Sequence, residues 1–366
     1  MTNSVVIGAG WHPGLFRKEA TQLIDSCDFI HSNALICDSS EADNFLARSS
    51  LISEVFSPGG IVSIENTIES VSASFLALEI QGSVAVKSSR SGERIEGWSS
   101  REIAGEIGGV LVAAGRDINL SNPDVTLRIH LLAPSNGTVH PDDFVAEPVV
   151  AWGITIQQGD DWPERRAPHR PFFKPVSLDP KLARAMVNLA CPEGGTLLDP
   201  FCGTGGLIVE GILCGIDSYG SDLAWPMVVG TRENADWAQK RGGKGDFEIR
   251  NGSALELSEI WDGPFDGFVF DPPYGRNAWK SADGFDLLEG ALSACTSVSK
   301  KHANLVTLIP WPPSSIAESV ETGTSFGKSW DEIKTAFSKA GWKIVTTIPI
   351  RVHRSLARML IHAVRK

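Results

Sequence analysis

The residues Asp271-Pro272-Pro273-Tyr274-Gly275-Arg276 follow directly on an apolar run, Phe265–Phe270. Two prolines fix φ twice and remove two N–H donors, so Pro272 and Pro273 make a rigid turn whose carbonyls point in a set direction. The Asp271 side chain and the Pro272 carbonyl are then neighbouring hydrogen-bond acceptors, and Tyr274 offers a ring face for stacking. This set suits an exocyclic amine on a planar base. The amine lone pair is delocalised into the ring, and acceptors that hold its hydrogens draw the nitrogen toward sp³ and make it nucleophilic. A base presented in this way must have left its helix, because the target atom cannot be reached inside a duplex. The alternative is a proline-stiffened loop after a strand.

A second constellation lies upstream. The segment LLDPFCGTGGLIVEG, Leu197–Gly211, places Asp199 and Pro200 at the end of an apolar stretch and Gly203, Gly205 and Gly206 just before a helix-compatible one. Glycine lets the backbone turn sharply and approach a ligand, and a helix N-terminus offers free N–H groups. Alone, such a turn is also compatible with tight strand–helix packing, and a nicotinamide fold has a similar G-x-G-x-x-G run. Asp222 follows Asp199 by 23 residues, near the roughly 20-residue offset at which an acidic side chain reaches ribose hydroxyls. That spacing favours a nucleoside cofactor. Ser253, in Asn251-Gly252-Ser253-Ala254, could meet an adenine edge or form a simple turn.

The elements that must hold these residues alternate. Strand-like Thr196–Phe201, helical Gly205–Gly215, strand Ser218–Leu223, helix Trp225–Arg241, strands Phe247–Ser253 and Phe265–Phe270, helix Phe285–Lys301, strand Asn304–Ile309 and helix Trp330–Ala340 follow in turn. Such alternation implies a parallel, doubly wound sheet. Lys343–Arg351 and Arg358–Val364 should close it as an antiparallel hairpin. The fold class is therefore α/β, a Rossmann-like sheet with a terminal hairpin, matching the architecture of class I methyltransferases. Residues 1–156 read as a separate α+β unit, with helices at Pro13–Cys27, Ser40–Ser49 and Ser99–Ala114, an extended Phe75–Ser89 and a strand at Val125–Ala133. Residues 157–175 are rich in proline and charge and are expected to be the interdomain connection, leaving 176–366 as the second domain.

The chain has 366 residues, 42% hydrophobic and 21% charged, and a formal net charge of −11. Through Arg170 it holds 12 Lys and Arg against 22 Asp and Glu; the remainder holds 21 against 22. An acidic protein does not coat nucleic acid nonspecifically, so any phosphate contact must be local. No apolar run approaches the roughly 18 residues of a membrane span, and the opening MTNSVVIGAG has no export signature. A cytoplasmic location is expected. The six cysteines form no C-x-x-C pair and the histidines no H-E-x-x-H pattern, so neither disulfides nor a metal are expected.

The combination LDPFCGTGG, YGSDL and DPPYGR resembles the amino-methyltransferases that use S-adenosylmethionine, most closely the archaeal tRNA guanine-10 N2-methyltransferases and their eukaryotic relatives. The segments Arg170–Ala190 and His353–Arg365 are similar as well. The resemblance implies that Asp199, Pro200, Gly203 and Gly205 contact the methionine part of the cofactor, with Phe173 and Ser177 contributing, that Asp222 holds the ribose, and that Asp271, Pro272, Pro273 and Tyr274 receive the guanine. Ser253 departs from the pattern, since relatives commonly place an aspartate against the adenine amine. The N-terminal part is similar to a THUMP module preceded by a ferredoxin-like segment, the tRNA-binding appendage of this family. Arg90, Arg94 and Arg101 would then meet phosphate, as would Arg166 and Arg170 in the connection and Arg354 near the end, against the alternative of a solvated face. The partner implied is tRNA. A monomer acting alone is expected, as for the archaeal relatives, rather than one with the small activating subunit of the eukaryotic ones. Other readings are an amino-methyltransferase acting on a DNA base or a protein glutamine, and an RNA-binding protein that no longer turns over.

Overall fold

Alternating and continuous apolar runs build two seven-stranded sheets, one in each of two units, Met1–Gly159 and Asp160–Lys366. The computed structural model describes residues 3–10, 12–133, 147–156, 162–175, 177–273, 282–315, 320–353 and 356–366.

The N-terminal unit runs β1 (Asn3–Gly8), α1 (Pro13–Leu23), β2 (Cys27–His31), β3 (Ala34–Asp38), α2 (Ser39–Arg48), β4 (Ile52–Ser63), α3 (Thr67–Ala77), β5 (Val84–Ser91), α4 (Ser100–Ala113), β6 (Val125–Leu132) and β7 (Val149–Ile156). Its sheet order is β2-β3-β1-β4-β7-β6-β5. The first six elements are a split βαβ pair of the ferredoxin-like type, with β3 and β1 antiparallel at its centre. Among the described strands the parallel pair, β5 with β6, is bridged by α4, as a parallel pair requires a crossover. Two expectations fail locally. Phe75 does not open a strand but closes α3, where Val71 and Phe75, one helical turn apart, both face the core. Cys27 does not end a helix, because the chain turns extended at Ile24 and Cys27 pairs with Cys37.

The C-terminal unit begins with short 3-10 turns at Trp162–Arg165 and Ala167–His169, then α5 (Pro180–Ala190), β8 (Thr196–Asp199), α6 (Gly206–Leu213), β9 (Asp217–Asp222), α7 (Trp225–Lys240), β10 (Phe247–Asn251), α8 (Leu257–Ile260), β11 (Phe265–Phe270), α9 (Ala282–Ser297) and β12 (Ser299–Trp311). A two-residue pair, β13 (Thr324–Ser325) and β14 (Lys328–Ser329), precedes α10 (Trp330–Lys339), β15 (Trp342–His353) and β16 (Leu356–Arg365). The order β10-β9-β8-β11-β12-β16-β15 is parallel through β12 and antiparallel from there. This is the expected Rossmann-like sheet with its terminal hairpin. The order turns back between β8 and β11, the place where open α/β sheets bind ligands outside the carboxyl ends of their strands. Phe268, Phe270, Trp311, Phe337 and Trp342 fill one face beneath it.

The connection expected at 157–175 is shorter than that. From Trp162 onward the segment packs into the C-terminal unit: Trp162 is buried, and Arg165 stacks on its ring at 4.2 Å and pairs with Glu210 of α6 at 3.1 Å. Proline and charge density mark an irregular backbone, but they do not say whether it runs free.

Candidate active site

The strand β8 ends at Asp199, 1% exposed, whose Oδ1 accepts the Phe201 N–H at 3.0 Å. Burial raises its carboxyl well above the usual range, and the negative charges of Asp222 and Asp271 push the same way. Pro200 beside it is buried. The turn that follows needs glycine twice, at Gly203 with φ +52 and Gly205 with φ +74. A side chain at Gly205 would also stand 2.7 Å from Cγ2 of Thr231 in α7, so this glycine serves helix packing as much as a ligand. Over Gly203 a Cβ would meet nothing nearer than 3.7 Å, which leaves room for a molecule to lie against the turn. Asp222, at the end of β9, ties the turn down: Oδ2 accepts the Gly203 N–H at 3.0 Å and Oδ1 the Ala224 N–H at 2.9 Å. Each oxygen keeps a second lone pair for a hydroxyl of a bound nucleoside.

Two residues that sequence reasoning missed hold this turn from α7. Thr231 Oγ1 donates to the Gly203 carbonyl at 2.7 Å. Asn234, fully buried, accepts the Phe172 N–H at 3.0 Å and donates to the Phe172 carbonyl at 2.6 Å and the Thr204 carbonyl at 2.8 Å. The amide thus joins the 170–177 segment to the glycine turn. The available signal was the spacing of Gly230, Thr231, Asn234 and Ala235, small or polar residues on the buried side of an otherwise charged helix. Ser177 reaches the same turn, its Oγ 3.1 Å from Thr204 Oγ1, while Phe173 is 49% exposed beside it. Replacing Asn234 by Leu keeps the branching of the side chain but not its size or polarity, and it strands three part-buried backbone groups, at up to about 1–3 kcal/mol each. A lowered melting temperature together with weaker cofactor binding is expected; a thermal melt and a ligand titration measure both.

Arg170 requires a correction. It was expected at an RNA-facing surface, yet it is 4% exposed, donates from Nε to the Arg165 carbonyl at 2.7 Å, and lies against the backbone of Gly206. Only Arg166 of that pair is exposed. Arg90, at the end of β5, Arg94, and Arg101, in the first turn of α4, are exposed at one end of the N-terminal unit. Arg354 and Tyr274 lie outside the described residues.

Ser253 follows β10, and its Oγ accepts the Leu255 N–H at 3.2 Å, as in a simple turn. Asn251 Nδ2 donates to the Asp222 and Leu223 carbonyls at 2.8 and 3.0 Å, which holds the ends of β9 and β10 together. Leu223 and Leu255, 77% and 50% exposed, are apolar side chains beside them that the sequence reading passed over, and their faces suit a planar ring.

On the other side of β8, β11 delivers Asp271 to the same end of the sheet. Among the described residues its Oδ1 is buried without a hydrogen-bond partner, although 29% of the side chain is exposed. Among the described residues, the cation paired with it is Arg358 of β16, with Nε 3.7 Å from Oδ1. Burial pushes the carboxyl up to about 6, against the pull of Arg358. A buried acceptor with nothing to accept, on a proline-fixed turn, is the chemistry expected of an amine site.

Residues 168–312 match the family UPF0020, described as RMKL-like, methyltransferase domain. This part of the chain is similar to that methyltransferase domain. Its relatives include the tRNA (guanine(10)-N2)-dimethyltransferases of Pyrococcus abyssi, 30% identical over 69% of this chain and 65% of that one, and of Methanothermobacter thermautotrophicus, 49% identical over 30% of this chain and 32% of that one. The matches therefore span less than two thirds of either relative. The crystal structure of TrmN from Thermus thermophilus is similar in fold, with a TM-score of 0.53 and 17% identity, covering all of both chains. In the C-terminal unit, Asp199, Gly203, Asp222 and Asp271 come together at the carboxyl ends of β8, β9 and β11, with Ser177 brought to the glycine turn.

Proposed function

We propose that this protein is an S-adenosylmethionine-dependent tRNA methyltransferase acting on the exocyclic N2 of guanosine at position 10. The buried, partnerless Oδ1 of Asp271 beside the Asp199–Asp222 turn carries this reading, and the names of the relatives support it. The open face over Gly203, the first-turn N–H groups of α6 and the Asp222 lone pairs fit the cofactor. When bound, it supplies an electrophilic methyl group on sulfur.

The chain's own residues do the rest. Asp222 accepts from the ribose, and Leu223 and Leu255 flank the adenine. Asp271 and the Pro272 carbonyl accept from the guanosine amine, which localises the nitrogen lone pair. The bound cofactor would supply the methyl group to this nitrogen, and its sulfur would keep the electron pair of the broken carbon–sulfur bond. The nitrogen, now positively charged, sheds a proton to Asp271. Pro272 and Pro273 hold the acceptors still, so little reorganisation is needed. Tyr274 stacks on the extruded base. We assign tRNA docking to the N-terminal unit, through a THUMP-like module and the cluster of Arg90, Arg94 and Arg101, and read the protein as a cytoplasmic monomer that acts alone.

The test is incubation of the purified protein with S-adenosylmethionine and unmodified tRNA transcripts, followed by digestion and mass spectrometry of the nucleosides. N2-methylguanosine is expected, with or without N2,N2-dimethylguanosine, and it should vanish when guanosine 10 is replaced. Methylation of a DNA base or a protein amide in its place would transfer the same chemistry to another substrate. Cofactor binding with no product on any RNA favours a binding protein.

A further inference from the structure

We infer that Arg358 is a positioning residue for the reaction: it keeps Asp271 ionised while leaving its buried oxygen open to the substrate amine. The inference rests on the proposed amine site at Asp271.

The register explains how a residue so far along the chain arrives there. Phe270 of β11 pairs with Thr307 of β12, and β12 continues to Pro310, whose partner on β16 is Arg358. The same residue faces Ile350 of β15, so Arg358 lies between two strands, 19% exposed. It has little freedom to swing away. Its Nε stops 3.7 Å from Oδ1, beyond the roughly 2.7–3.2 Å of a hydrogen bond. That gap matters: at contact distance the guanidinium would occupy one of the oxygen's two lone pairs and crowd the approach of the amine, whereas at this distance it acts as a charge alone.

Among the described residues, Arg358 of β16 is the charge that acts on Asp271, and Asp271 together with Asp222 of β9 acts in turn on Asp199 of β8. Asp271 is held partly out of water, and Arg358 pulls against that burial, so without Arg358 the carboxyl would retain its proton further up the pH scale. A protonated Asp271 presents a donor to an amine that is itself a donor. It also has no vacancy for the proton released when nitrogen takes the methyl group. Arg358 therefore acts on both the approach and the discharge of the amine, without touching it.

The experiment is a pH profile of single-turnover methyl transfer to transcript tRNA with saturating S-adenosylmethionine, from about pH 5 to 9, for the wild-type chain, Arg358→Met and Arg358→Lys. The wild-type rate should fall on the acid side near pH 6, in line with the Asp271 carboxyl. In Arg358→Met the acid limb should move up by about one pH unit, with the plateau lowered about tenfold or more. Lysine should restore the position of the limb. Binding of S-adenosylhomocysteine should stay as in the wild type in both variants. A variant that is slower with an unmoved limb, or unaffected, overturns the role of Arg358. Should Arg358→Met fail to fold, Arg358→Gln carries the same comparison. Wild-type protein that binds the cofactor but methylates no guanosine refutes the amine-site reading itself, a result distinct from an active enzyme whose limb does not respond.

Discussion

Asp271→Ala should lower methyl transfer by about 10³-fold while the dissociation constant for S-adenosylhomocysteine stays close to that of the wild type. Asp271 follows β11 directly, and among the described residues no hydrogen bond ties its Oδ1 to the glycine turn or to Asp222, each of which has its own bonds. Deletion therefore removes an acceptor and a proton sink and leaves the cofactor cradle standing. Because the acceptor draws the nitrogen toward sp³ only as the bond forms, the loss should fall on the chemical step rather than on tRNA binding. Asp271→Asn, which keeps one acceptor oxygen but cannot take the proton, should fall between. Single-turnover rates and a calorimetric titration separate the two quantities. Equal losses in both would show that Asp271 shapes the cofactor site instead.

The largest expected effect on stability comes from Glu210→Ala. Glu210 on α6 is fully buried, and its Oε2 lies 3.1 Å from Arg165 NH1 and 2.9 Å from Arg184 NH2. One carboxylate thus fastens the opening 3-10 turn and α5 to α6. A buried pair need not exceed a hydrophobic replacement in stability, but deleting one partner leaves charge in a medium that solvates it poorly, at about 3–5 kcal/mol. Denaturant unfolding should show a clear fall in the midpoint of the C-terminal unit. The cofactor should also bind more weakly, since the 170–177 segment begins where this cluster holds it. A variant as stable as the wild type would mean that the cluster relaxes around water.

Each of these sites was legible from the sequence to a different degree. Asp199, Gly203 and Gly205 lie within one strand–turn–helix, and Asp222 and Asp271 each close a strand of the same series. Their placement follows from short-range rules of strand period, glycine at positive φ and proline rigidity, which a contiguous stretch carries in full. The alternation of strands and helices and the terminal hairpin follow from the same rules. Arg170 shows where they stop. A cationic residue in a proline-rich, charged stretch reads as solvated, and nothing local says that the chain folds back so that its guanidinium lies on Gly206. Charge density describes composition, whereas burial is decided by what packs on top.

The partners of Asn234, Thr231 and Arg358 were beyond the sequence for a related reason. Asn234 meets Phe172 across 62 residues of chain, and the match between an amide and two backbone groups has no period or motif that marks it. Arg358 depends on β16 lying between β12 and β15. An antiparallel hairpin can be read from two apolar runs, but which of its strands joins the parallel sheet cannot, because either choice buries similar side chains. The sequence alone therefore determined the elements, their α/β class and the acceptor and turn residues that end its strands. The tertiary structure alone decided which distant side chains hold those residues and which charge faces Asp271, since these are set by packing between segments whose local preferences carry no information about one another.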